Sequence, residues 1–153
     1  MKITVDSNIV FSAILNTKSN IGQLLTIGNK HFSFYTVDLL KTEIYNHQKK
    51  IQFITGFSES KFDEVFTLIT SKIRFVNDIL ISDTSLRNAY ELTYDIDEDD
   101  TLFVALANHL EARLWTGDRT LEKGLEKKGY GQIIKTPELY DIFMRKELKR
   151  GKL

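Results

Sequence analysis

The sequence predicts an α/β fold, a three-layer αβα sandwich built on a central, mainly parallel sheet. Three observations carry that reading. Short β-branched runs alternate with amphipathic helical stretches along the whole chain, the pattern of a parallel sheet covered on both faces. Hydrophobic residues make up 42% and charged residues 27% of 153, a globular composition. No repeat, low-complexity tract or Pro/Gly/Ser linker interrupts the chain, so residues 1–153 are expected to form a single domain large enough to bury a core.

The elements follow in order. KITVD (2–6) is a short strand, and SNIVFSAIL after it has Val10, Ala13 and Ile14 at one-face helical spacing. IGQLLTIG is a second short helix closed by Gly28, and FSFYT (32–36) is aromatic, β-branched and strand-like. DLLKTEIYNHQKKI reads as one helix capped by Asp38, with Leu40, Ile44, His47 and Ile51 as its core stripe. SESKFDEVFTLI is helical behind Ser58 or Ser60, IRFV (73–76) is a strand, and SLRNAYELTY is helical. TLFVALANHL carries Phe103, Leu106, Ala107 and Leu110 on one stripe, and ARLWT (112–116) is the next strand. LEKGLEKKG ends at Gly129 as a C-cap, IIK is a short strand, and Thr136-Pro137-Glu138 opens the last helix. The order of the strands does not follow from these signals.

Composition narrows the chemistry. The absence of cysteine removes disulfides, thiolate metal sites and a cysteine nucleophile, and leads us to expect a cytoplasmic protein. No apolar run approaches the roughly 20 residues of a membrane helix, and MKITVDSN does not read as a signal peptide. The 21 basic and 21 acidic residues balance, yet six acids and no base lie between Glu91 and Asp100. Something must hold that like charge together, either helix capping with solvation or a cation.

In parallel sheets, ligands bind beyond the carboxyl ends of the strands. Asp6 ends the first strand, Asp118 follows ARLWT in TGD, and Asp100 directly precedes the helix leading into ARLWT. Each has a plain structural reading: Asp6 and Asp100 as helix caps, Asp118 as a turn residue. Glu43 lies at the edge of a core stripe, where a carboxylate must snorkel, pair or bind something. Its structural reading is a contact with His47 or a lysine, and its functional reading is a ligand facing the other acids. Together, Asp6, Glu43, Asp100 and Asp118 would make an all-oxygen site, which selects Mg²⁺ or Mn²⁺ over Zn²⁺. Such ions activate water and steady an in-line attack on phosphorus, the chemistry of phosphodiester hydrolysis.

MKITVDSNIVFSAIL, LLKTEIY and DEDDTLFVALANHLEARLWTGDRTL resemble, in that order, the PIN-domain ribonuclease pattern. VDSN and the segment from Asp100 through Asp118 are its most specific parts. The resemblance implies that Asp6, Glu43, Asp100 and Asp118 form a catalytic, metal-binding quartet for Mg²⁺ or Mn²⁺, with Asn8 and Thr116 as supporting polar groups. Asp97 or Asp99 replaces Asp100 if the helix begins a turn earlier, but Asp100 fits the spacing to Val104-Ala105 best. If these residues are helical, Asp97 and Asp99 are turned from Asp100 by roughly 300° and 100°.

The resemblance further implies an endoribonuclease acting on RNA, a homodimer framing a shared groove, and a small antitoxin that silences a toxin. Lys49-Lys50, Lys127-Lys128 and the tail from Arg145 to Lys152 are the cations available to hold RNA phosphates; the competing reading is solvated surface and helix-dipole charge. The rivals are a PIN-fold scaffold that binds RNA or protein without cutting, and a receiver-like phosphoacceptor module. A haloacid-dehalogenase-like phosphatase needs Asp-x-Asp, and Asp6-Ser7-Asn8 lacks the second aspartate. No glycine-rich phosphate loop is present. His31, His47 and His109 have no metal-ligand spacing, and Trp115 is read as core.

Overall fold

The computed structural model describes residues 1–151. Five strands form one all-parallel sheet: β1 (Lys2–Val5), β2 (Ser33–Val37), β3 (Ile73–Val76), β4 (Arg113–Trp115) and β5 (Ile133–Ile134). Their spatial order is β3-β2-β1-β4-β5. The chain therefore builds outward from β1 through β2 to β3, then returns to the other side of β1 to lay down β4 and β5. That reversal creates a crevice at the carboxyl ends of β1 and β4, where α/β sheets bind ligands. The ladder continues into it, since the Asp6 N–H donates to the Trp115 carbonyl at 3.0 Å.

Helices form the outer layers: α1 (Ser7–Leu15), α2 (Asn20–Ile27), α3 (Leu39–Asn46), α4 (Gln48–Thr55), α5 (Glu59–Thr70), α6 (Asp83–Thr93), α7 (Thr101–Leu110), α8 (Arg119–Lys127) and α9 (Thr136–Gly151). α1 gathers α2 through α5, and α2 meets α9; α6 packs on α7 and α8. α7 lies against β1, β2 and β4, and its run Phe103–Ala107 is buried throughout. The alanines at 105 and 107 allow that close approach. Trp115 is fully buried, and its indole N–H donates to the Thr136 hydroxyl at 2.9 Å, tying β4 to the start of α9.

Two local expectations give way. The predicted helix over 38–51 is two helices, broken at His47 (φ −101°, ψ 11°), whose N–H reaches the Ile44 carbonyl three residues back. This tighter turn shifts the axis, so Leu40, Ile44 and Ile51 stay buried while His47 leaves the core stripe and is exposed. Asp38 does not cap α3: it is already helical at φ −60°, ψ −27°, and its side chain makes no capping bond. Gly28 closes α2 as expected, leading into a 3-10 turn beside Phe34, and Gly129 at φ +81° ends α8 as expected.

Candidate metal centre

Asp6 is 1% exposed and its carboxylate is held from three sides. One oxygen accepts from the Ser7 N–H at 2.7 Å; the other accepts from Thr116 Oγ1 at 2.8 Å and Asn8 Nδ2 at 3.2 Å. Asn8 also receives the Gly117 N–H at 3.0 Å, and Thr116 Oγ1 receives the Asp118 N–H at 3.1 Å. VDSN and WTGD, more than a hundred residues apart in sequence, are thus one hydrogen-bonded unit at the crevice.

Asp118 caps α8, accepting from the N–H groups of Thr120 and Leu121 at 2.9 and 3.1 Å, but both bonds fall on one oxygen. Glu43 accepts from the Ser7 hydroxyl at 2.5 Å. Neither structural partner expected for Glu43 is found, since among the described residues it pairs with no lysine and its hydrogen-bond partner is Ser7 rather than His47. The acidic segment ends in a 3-10 turn over Glu98–Asp100, and α7 begins immediately after it. Asp97 opens that turn by accepting from the Asp99 N–H at 2.9 Å. Because these residues are not α-helical, the expected divergence of Asp97 and Asp99 from Asp100 does not occur.

All six carboxylates, of Asp6, Glu43, Asp97, Asp99, Asp100 and Asp118, line one cavity of about 330 Å³, with Asn46 and His47 at its wall. No lysine or arginine lines it. The quartet expected from the sequence is therefore brought together, with two further acids beside it. Ser7, Asn46 and His47 are lining residues that sequence reasoning did not select. Only the hydroxyl of Ser7 beside Asp6 offered a signal for any of them.

The electrostatics follow from burial and like charge. Desolvation, partly offset by the Thr116 and Ser7 bonds, pushes the Asp6 carboxyl up from 3.8 to about 6. Burial and the charges of Asp6, Asp97, Asp118 and Glu43 push Asp100 up to about 8. Burial raises Glu43 as well, against the Ser7 bond. One oxygen of Asp100, Oδ2, is buried with no hydrogen-bond partner. An orphaned buried carboxylate oxygen among five other acids is the condition a hard cation satisfies. Among the described residues no three of these acids close around a single point as they stand.

The acidic segment is fastened from behind by α8. Lys128 donates to the carbonyls of Glu91 and Leu92 at 3.4 and 3.0 Å and pairs with Asp95. Ile96 packs onto Gly124, where an added Cβ would fall 2.4 Å from Ile96 Cδ1. Lys128 is thus committed to the loop, which removes it from the cations expected to hold RNA.

Residues 4–137 match the family model described as PIN domain. The chain belongs to the PIN-domain family. Among solved structures it is similar to the crystal structure of VapBC2 from Rickettsia felis bound to a DNA fragment from their promoter. The TM-score is 0.61 at 17% identity, and the alignment covers 88% of this chain and 97% of that one. At that identity the likeness speaks for the PIN fold. No curated protein matches the chain. Among the described residues, no helix is long and apolar enough to cross a membrane.

Proposed function

We propose that this PIN-domain protein is an Mg²⁺- or Mn²⁺-dependent endoribonuclease in which Asp6, Glu43, Asp100 and Asp118 hold the metal. The observation that carries the reading is the buried, unpartnered Asp100 Oδ2 in a cavity lined by six carboxylates and no cationic chain. A cation bound there would supply charge neutralisation, an activated water and stabilisation of the charge developing on the phosphate oxygens. The chain's own groups do the positioning. Thr116 and Asn8 fix one oxygen of Asp6, Ser7 fixes Glu43, and the start of α8 fixes Asp118. Asp97 and Asp99 add negative potential at the rim and stand as auxiliary groups. Carboxylates held this way spend little reorganisation when the reaction develops charge.

Membership of the PIN family, and the likeness to a structure of a VapBC2 assembly, support a toxin whose partner is a small antitoxin protein. We place it in the cytoplasm as a homodimer, with single-stranded RNA as its substrate. The deciding experiment is cleavage of labelled single-stranded RNA with Mg²⁺, with Mn²⁺ and with chelator. Cutting that requires the cation, and that Asp118→Asn abolishes, is the expected outcome. RNA binding without cutting under all three conditions would make the protein a scaffold instead.

A further inference from the structure

Beside the acidic cavity lies a second opening of about 260 Å³, which shares Ser7, Glu43 and His47 with it and has Phe11 and Lys50 on its other walls. Its size falls near the lower end of small-ligand sites, which begin at about 300 Å³, so it suits one ring system. Phe11 lies off the buried stripe of α1, which is Ile9, Val10, Ala13 and Ile14, and stays half-exposed at the opening. The break between α3 and α4 turns His47 out of the core toward the same place. The two rings stand 6.0 Å apart at 80°, forming a corner of two π-surfaces. Lys50 Nζ sits over the Phe11 ring, 5.8 Å from its centroid, and is a cation lining the opening that can attract an anionic strand.

We propose that this corner is a stacking subsite for one unpaired nucleobase, adjacent to the phosphate held at the acidic cavity. Phe11 and His47 are its platform, and Lys50 contacts the flanking phosphate. The inference rests on the ribonuclease reading and names the substrate form, because a base can enter only if it is unstacked from a helix. Aromatic platforms accept any base, so the subsite selects single-stranded over duplex RNA and does not select sequence. Phe11, His47 and Lys50 are thus positioning residues for the strand.

The test is fluorescence anisotropy of a short labelled single-stranded RNA, with Ca²⁺ replacing Mg²⁺. His47→Ala and Phe11→Leu should bind about 5- to 100-fold more weakly, the range of a lost base–aromatic stack. Leucine keeps the apolar bulk at position 11, and His47 is exposed, so thermal melting should show both variants folded. Lys50→Gln should lower the slope of log affinity against log salt by about one. A strand with one abasic nucleotide should lose affinity for the wild type but lose little more for His47→Ala. Unchanged binding in both folded ring variants, or an abasic strand that binds as well as the intact one at every position, overturns the subsite. Cleavage is scored separately with Mg²⁺. Binding through the rings without cutting would sink the ribonuclease reading alone, and cutting with unchanged binding would sink the subsite alone.

Discussion

Asp95 and Asp100 sit at the two ends of one acidic loop and meet opposite fates. Asp95 is exposed and pairs with Lys128, which holds its carboxyl below the ordinary carboxylate range. Asp100 is half-buried, faces other acids, and is held far above that range with one oxygen unpartnered. The chain had a lysine available for this loop and placed it at the outer end. The crowding of acids without a cationic partner at the inner end is therefore a property of the site rather than of an acid-rich segment. A functional site carries such a cost, and a bound cation relieves it.

The strongest way to break this comparison is activity. Asp100→Asn keeps the shape and removes a charge, and should lower Mg²⁺-dependent RNA cleavage by at least about 100-fold. Asp95→Asn should leave the rate within about two-fold. Equal losses in the two variants would show that the loop acts as one block of charge. Asp97→Asn and Asp99→Asn, whose side chains reach the cavity, should fall between them.

Stability sharpens the same contrast. Asp100 and Asp6 hold protons in the folded state, with values near 8 and 6, that the unfolded chain releases near 3.8. A raised folded value means that their contribution is fully present below about pH 4 and is lost as the pH rises toward 8. The melting temperature in chelator should fall across that window, and Asp100→Asn should flatten the fall. At pH 8, relief of about 1 kcal/mol, discounted for solvent screening, raises the melting temperature of a chain this size by about 2–4 °C. Millimolar Mg²⁺ should stabilise the wild type more than Asp100→Asn, by mass action on the folded site. A melting temperature that is flat with pH and indifferent to Mg²⁺ would mean that the acids are only caps.

The smallest expected effect lies at the loop's outer fastening. Lys128→Met removes the donor to Glu91, Leu92 and Asp95, and should cost about three- to ten-fold in turnover by loosening the carboxylates. Circular dichroism should show the fold retained. A loss as large as that of Asp100→Asn would place Lys128 in the site itself.

Much of this was legible in the sequence because local signals and tertiary position agree. Asp6 and Asp118 are read from strand ends, and Trp115 from its apolar run. The order β3-β2-β1-β4-β5 was not legible, since pairing is decided by long-range contacts. Helical periodicity runs unbroken through His47 and gives no sign of the tight turn in which its N–H meets the Ile44 carbonyl. The partner of Glu43 was not legible because Ser7 lies 36 residues away. Asp97 and Asp99 were misjudged because a 3-10 turn does not keep the α-helical 100° step.

The contact of Ile96 with Gly124 has a mechanical consequence. α8 begins at Asp118 and, through Gly124 and Lys128, also clamps the loop that ends at Asp100. One short helix therefore serves as a common lever for carboxylates that arise from two separate parts of the chain. A displacement of α8 would bear on both groups together and strain their spacing against Asp6, which is anchored on the sheet and tied to Asp118 through Thr116. A methyl group at 124 would act as a wedge under that lever, altering the distance between the two halves of the centre without touching a single carboxylate.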